Sequence, residues 1–184
     1  MVYFIMLFNW DKFKGWKVLE FFLQHNQKIH VKGLAKKLKV SSGTAQKYLL
    51  EYEKQGVLEK ERTANVLSYS LKETPLTLEL KKCFFISKIM PFVEEFQKEN
   101  PFVTSLVLYG SHAKGTFDEK SDIDLIAISQ NKKIKLNALK KMEEKTSKEA
   151  GIQVFTLTEW RKQSKDSFGL AVTKNNILLF GELL

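Results

Sequence analysis

Cysteine is almost missing from this chain: Cys83 is the only one in 184 residues. No disulfide can form within the chain, so a small disulfide-stapled scaffold is excluded and a reducing, cytoplasmic setting is expected. Cys83 lies in an apolar run, where a buried small hydrophobe is expected and a nucleophile is not. No stretch is rich in glycine or serine, and no repeat or low-complexity tract occurs. A flexible linker is therefore not expected, and whatever domains the chain holds should pack together. Long apolar runs are also missing. The opening "MVYFIMLF" is too short for a membrane span, lacks a positive flank and runs into Asn9, Trp10, Asp11 and Lys12. Neither a transmembrane helix nor a signal peptide is expected there, and no membrane partner. A strand or helix lead-in, or a dimer contact, is expected instead.

What is present suffices for a core. Hydrophobic residues make up 43% and aromatics 12%, which excludes wholesale disorder. The length allows one medium domain or two small ones. The net charge of +9 is unevenly placed: residues 1–72 hold 13 Lys/Arg against 6 Asp/Glu, and residues 73–184 hold 17 against 15. A basic excess concentrated in one part suggests a polyanionic partner for that part, while a lysine-rich solvated surface is the plain alternative.

In residues 10–26, Phe13, Trp16, Leu19, Phe22 and Leu23 recur at helical spacing, with Gly15 as the weak point of the first turn. Val31, Leu34, Ala35 and Leu38 mark a second, short helix. Ser41 offers an N-cap for a third, with Ala45, Tyr48, Leu49 and Tyr52 on one face and Gly56 at its end. Val57-Leu58 and residues 66–71 read as two strands around a polar turn at 61–65. Three helices followed by a hairpin, with "LAKKLKVSSGTAQKYLLEYEKQGVLEK" across the second and third, resemble a winged helix-turn-helix domain over residues 1–72. That resemblance implies DNA binding, with the N-terminal end of the third helix in the major groove. Position by position it nominates Ser42, Gly43, Gln46 and Lys47 for base edges. It also nominates Lys36, Lys37, Lys39 and Lys54 for phosphates, and Lys60 and Arg62 on the wing. Winged helices also serve as protein-binding modules, and Glu59 and Glu61 count against a strong wing–phosphate contact.

Residues 73–100 read as a helical connector. Thr74-Pro75 can open a helix, Leu78, Leu80, Phe84, Phe85, Ile89 and Met90 fit one, and Pro91 should kink or break it. From Phe102 the pattern turns to strands at 103–109, 123–129, 152–157 and 177–180. A short helical turn over 112–114 ends at Gly115, a helix covers 134–149, and Thr158 is a candidate cap with Glu159 in the first turn. The expected fold class is α/β (α+β), a mixed sheet flanked by helices in residues 101–184.

Residues 109–124, "YGSHAKGTFDEKSDID", place Gly-Ser and a further glycine ahead of two aspartates spaced by one residue. Either pair alone is a weak signal. Both in order, between two apolar strands, resemble the signature of the DNA polymerase β-like nucleotidyltransferase superfamily, minimal nucleotidyltransferase type. The resemblance implies a nucleoside triphosphate with Mg²⁺ or Mn²⁺. Phosphoryl transfer needs mainly positioning and charge neutralisation. Gly110 permits close approach to a phosphate, Ser111 can donate a hydroxyl, and the short helix offers free N–H groups to the anion. Asp122 and Asp124 supply hard oxygens on one face, as catalytic residues and metal ligands. Lys114 keeps the positive charge where many relatives carry arginine, and His112 supplies charge only when protonated.

Active relatives carry a third carboxylate on the next strand. Here that position falls on or near Gln153, which can line the nucleotide site but cannot serve as a general base at neutral pH. No Asp or Glu occurs between positions 150 and 158. Two functions are thus expected. One is transfer of a nucleoside monophosphate to a hydroxyl acceptor, alongside a winged-helix DNA-binding module. The other is a DNA-binding regulator or antitoxin with a catalytically degenerate nucleotidyltransferase domain and a protein partner such as a toxin. A homodimer is left open in either case.

Overall fold

The structure is a computed structural model and describes residues 13–182; the apolar opening segment and its expected packing role lie outside them. The chain divides into two compact units, with the boundary between Leu80 and Lys81.

In the first unit, α1 (Lys14–Gln24), β1 (Ile29–His30), α2 (Val31–Leu38) and α3 (Ser42–Lys54) lead into a hairpin of β2 (Leu58–Thr63) and β3 (Val66–Leu71). β3 is central, with β1 and β2 antiparallel on its two sides. Val18, Phe21, Phe22, Leu34, Ala35, Ala45, Leu49, Leu58 and Tyr69 form its core. The expected cap holds: Ser41 Oγ accepts from Thr44 N at 3.1 Å, satisfying a donor the first helical turn leaves free. Gly15 is a packing requirement and not a weak point. A Cβ there would overlap the rings of Phe13 and Tyr48, so the missing side chain lets α1 approach α3.

The boundary falls within α4 (Pro75–Glu99), which Thr74 opens by accepting from Thr77 N at 3.2 Å. The kink or break expected at Pro91 does not end the helix, which runs through it. Phe85, Ile89, Val93 and Phe96 recur at three- and four-residue spacing and are buried in the second unit's core, whereas Pro91 is exposed. That packing outweighs the hydrogen bond lost at proline, since removing one such aromatic from a core costs about 3–5 kcal/mol. Cys83 is exposed, contrary to expectation, because the neighbouring Phe84 and Phe85 take the buried face of the helix.

The second unit is built on a four-stranded sheet in the order β6-β5-β4-β7. Its strands are β4 (Val103–Tyr109), β5 (Ile123–Ser129), β6 (Ala150–Phe155) and β7 (Ile177–Phe180). β4 is antiparallel to both β5 and β7, and β6 is parallel to β5, so the sheet is mixed as expected. Both faces of β4 and β5 are covered, which accounts for their nearly unbroken apolar sequences. Leu106, Leu108, Ile123, Leu125 and Ala127 pack with α4 and with α6 (Asn137–Thr146). Val107, Ile126 and Ile128 pack with Trp160 of α7 (Leu157–Gln163) and Val172 of α8 (Ser167–Lys174). α5 (Gly110–Lys114) is the short turn between β4 and β5.

Several boundaries differ from the sequence reading, and in the first unit β2 runs on to Thr63, through part of the turn expected at 61–65. β6 covers 150–155 and not 152–157, because pairing with β5 starts at Ile123↔Ala150. The cap of α7 is Thr156 and not Thr158: Thr156 and Glu159 form a reciprocal capping box, which stops the strand two residues earlier. α6 begins at Asn137, after Asn100 has tied down the preceding loop at Lys135. Among the described residues no helix is long and apolar enough to cross a membrane.

Candidate functional site

The turn from β4 into α5 is shaped by Gly110. Its φ is +71°, a conformation that costs an L-residue about 1–2 kcal/mol, and a Cβ on it would overlap Asp124 Oδ2. The backbone of the Gly-Ser motif therefore lies directly against the second aspartate, across the Tyr109↔Asp124 pair of the ladder. Ser111 is half-buried and Lys114 exposed. Gly115 ends the short helix in a left-handed conformation, as expected.

His112 departs from the expected role. It is fully buried (0%) between the rings of Phe85 and Phe117, with centroids at 4.1 and 4.4 Å. Neither ring nitrogen makes a hydrogen bond of normal geometry. Burial and the charge of Lys148 hold its pKa down to about 3, which the nearby Asp122 backbone only partly offsets. His112 is a neutral core residue and cannot supply charge to a phosphate at neutral pH.

The loop from Thr116 to Ser121 delivers the aspartates. Asp118 Oδ1 accepts from Lys120 N and from Ser121 Oγ, both at 2.9 Å, and these bonds hold its carboxyl below the usual range. Lys81, only 5% exposed, donates to the Phe117 carbonyl, and Lys148 donates to the carbonyls of Asp118 and Ser121. Asp122 is exposed and Asp124 half-buried, on the same side of the strand as Ile126 and Ile128. Burial first, and then the Asp122 charge, push the Asp124 carboxyl above its ordinary value. Two anions brought to one partly desolvated edge form a place suited to a cation.

Both aspartates open on a cleft of about 610 Å³, also lined by Glu143, Ser147, Lys148, Glu149, Ala150 and Gly151. Gln153 does not line it. Its side chain is exposed, and Nε2 donates to Tyr109 Oη at 3.1 Å. In the parallel ladder the residue beside Asp124 is Gly151, where a Cβ would meet nothing within 4 Å. The position flanking the second aspartate is thus open space and carries no acid. Glu143 accepts from Ala150 N at 2.8 Å and so braces the start of β6. Glu159 is drawn below its ordinary pKa by Lys132 and by the capping box, away from the cleft. Among the described residues no three acidic, histidine or cysteine side chains are gathered to hold a metal. A divalent ion here would take two carboxylates and complete its shell from phosphates and water, as Mg²⁺ commonly does. The sequence reading placed no role on Lys148 or Gly151. Lys148 precedes β6 and Gly151 lies within it, so neither stands out until the parallel pairing of β6 with β5 is known.

The residues nominated for DNA belong to the first unit. Ser42, Gly43, Gln46 and Lys47 are all exposed along the first half of α3, and Lys54 is exposed in its last turn. Lys36, Lys37 and Lys39 are exposed at the end of α2, and Arg62 is exposed on β2. Lys60 pairs with Glu53 at 3.0 Å, and Lys28 pairs with Glu61.

Residues 89–174 match the family model of the nucleotidyltransferase domain. Residues 1–88 lie outside that match. No curated protein sequence matches. Among solved structures, a toxin–antitoxin with AMP-PNP is 18% identical, with a TM-score of 0.38 over 50% of this chain and 73% of that one. A provisionally assigned nucleotidyltransferase from Sulfolobus solfataricus is 17% identical, with a TM-score of 0.36 over 57% of this chain and 87% of that one. A provisionally assigned transcriptional regulator from Rhodococcus sp. RHA1 is 18% identical, with a TM-score of 0.33, and the match spans 66% of this chain and 46% of the regulator. With TM-scores this low, the family model is the finding that bears on function.

Two outcomes follow from the packing. Gly110→Ala combines an unfavourable φ with a collision at Asp124, so the urea midpoint should fall by an amount equal to about 1–2 kcal/mol or more; an unchanged midpoint would contradict the geometry. His112 has a folded pKa of about 3 against an ordinary 6.5, so the unfolded chain binds its proton first. The stability linked to neutral His112 is complete above pH 6.5 and is lost as pH falls toward 3, on the order of 1 kcal/mol per pH unit. His112→Leu should flatten that part of the stability–pH curve measured by urea unfolding.

Proposed function

We propose that the second unit binds a nucleoside triphosphate with Mg²⁺ or Mn²⁺ and transfers its nucleoside monophosphate to a hydroxyl acceptor. The observation that carries this is the Asp122–Asp124 pair: two carboxylates open to one cleft, with Asp124 seated against Gly110, within the stretch that matches the nucleotidyltransferase domain. Asp122 and Asp124 hold the ion. Gly110 and Ser111 sit where a phosphate meets backbone and hydroxyl, and Lys114 adds an exposed positive charge beside them. The bound ion would neutralise triphosphate oxygens as pyrophosphate leaves. Glu149 lines the same cleft and is the acid available to take up the acceptor's proton. Gln153, nominated for the nucleotide, supports that role only if its bond to Tyr109 opens. Incubation with each of the four labelled triphosphates and cell extract tests the reading. Transfer that disappears in Asp122→Ala supports it; no transfer with any of the four, or transfer that Asp122→Ala leaves intact, overturns it.

One observation favours a second reading. No acid stands beside Asp124, where the ladder partner is Gly151, and Gln153, at or near the expected acid position, turns its Nε2 to Tyr109. A site of that kind would hold a metal–triphosphate without consuming it. Residues 1–72 then serve as a winged helix on operator DNA, joined by a connector at 73–100 to a sensing or partner-binding domain at 101–184. The exposed row Ser42, Gly43, Gln46 and Lys47 on the capped third helix, with Lys54 and Arg62 alongside, supports the DNA contact. A toxin-like protein partner fits an antitoxin role in a cytoplasmic setting. Electrophoretic shift on the chain's own promoter at fixed salt tests this reading. Lys47→Ala should weaken binding, and affinity no higher than for random duplex would contradict it.

A further inference from the structure

The loop that presents Asp122 belongs to no helix or strand, and ammonium groups hold it in place. One of them, Lys148, sits just before β6 and lines the cleft with both aspartates. Its Nζ donates to the Asp118 carbonyl and, at 3.0 Å, to the Ser121 carbonyl. The Ser121 carbonyl belongs to the peptide plane that ends at the Asp122 Cα, so a bond to it restrains the direction in which Asp122 leaves the loop. Immediately beyond, Ile123 N donates to the Glu149 carbonyl at 2.8 Å. Residues 148 and 149 therefore grip the chain on both sides of Asp122, through a side chain before it and through the backbone after it.

We infer that Lys148 is a positioning residue for the Asp122–Asp124 pair: its ammonium, seated on two loop carbonyls in the cleft wall, fixes where Asp122 meets the metal. This rests on the cleft being a metal–triphosphate site. Position and charge act in opposite directions here. Lys148 is a cation beside a cation site, so its charge alone disfavours a divalent ion, and deleting that charge alone would tighten metal binding. A positioning role predicts the reverse, because loss of a group that orients a metal ligand usually weakens affinity tenfold or more. The sign of the change separates the two.

The test is Mn²⁺ binding to the full chain without nucleotide, followed by electron paramagnetic resonance of free Mn²⁺. Amide hydrogen exchange at residues 119–122 is read alongside. Lys148→Met keeps the length of the side chain without donor or charge, and should weaken Mn²⁺ binding about tenfold and speed exchange in the loop. Lys148→Arg should restore binding to within about twofold of wild type, since it returns both charge and donors. If Lys148→Met does not fold, Lys148→Gln is read by the same criteria. Binding by the variant as tight as or tighter than wild type, or unchanged loop exchange, overturns the inference alone. A wild-type chain that takes up no Mn²⁺, and whose loop exchange is not slowed by Mn²⁺ with a non-hydrolysable triphosphate analogue, overturns the nucleotide-site reading and this inference with it.

Discussion

Asp122 and Asp124 repel one another, and the sheet holds them on one face regardless. Strand periodicity fixes the direction of Asp124, because a slip of one residue would turn Ile123 and Leu125 out of the core, while Asp122, just ahead of the strand, is held by the bonds on either side of it. The ladders of β5 with β4 and β6 keep the strand in register. The strain of the pair appears at Asp124, whose carboxyl is pushed up by desolvation and by its neighbour's charge. Gly110 completes the constraint, since any side chain there would occupy the space of the Asp124 carboxylate. Glycine and aspartate thus form one unit, fixed by sterics as much as by charge.

The surrounding scaffold serves that edge. On one side the α4 and α6 layer buries Phe85, Phe96 and Met142, together with His112, which is neutral and stacked on Phe117. Phe117 in turn lies under the ammonium of Lys81. The same short motif that carries Gly110 and Ser111 therefore sends its histidine inward as a core anchor and leaves Lys114 outside. On the other side of the sheet, Tyr109 meets Phe168 edge to face at 5.7 Å and accepts from Gln153. Gln153 gives its Nε2 to that contact.

Much of this was legible in the sequence, for identifiable reasons. Ser41, Thr74 and Gly115 declare helix ends through local chemistry, and the apolar runs around Val107 and Ile126 mark strands. The Gly-Ser and Asp-x-Asp spacing is local too, so the site could be read before the fold was known. Other features depend on tertiary partners. Pro91 reads as a kink or a break, and the break does not occur because Phe85, Ile89 and Val93 are buried along one helix. Cys83 reads as buried because its neighbours are apolar, yet the helix turns it out. His112 reads as a charge donor until Phe85, 27 positions earlier in the chain, is seen against its ring. Lys148 and Gly151 carry no signal until the parallel pairing of β5 with β6 brings them to the aspartates.

The central claim is that Asp122 and Asp124 hold a metal bound to a triphosphate. A crystal structure with Mn²⁺ and a non-hydrolysable triphosphate, with the ion located by its anomalous scattering, tests it most directly. One Mn²⁺ bound by oxygens of both aspartates, with phosphate oxygens completing its shell and Gly110-Ser111 beside them, is the expected result. An ion elsewhere, or a triphosphate that leaves both carboxylates untouched, would contradict the account.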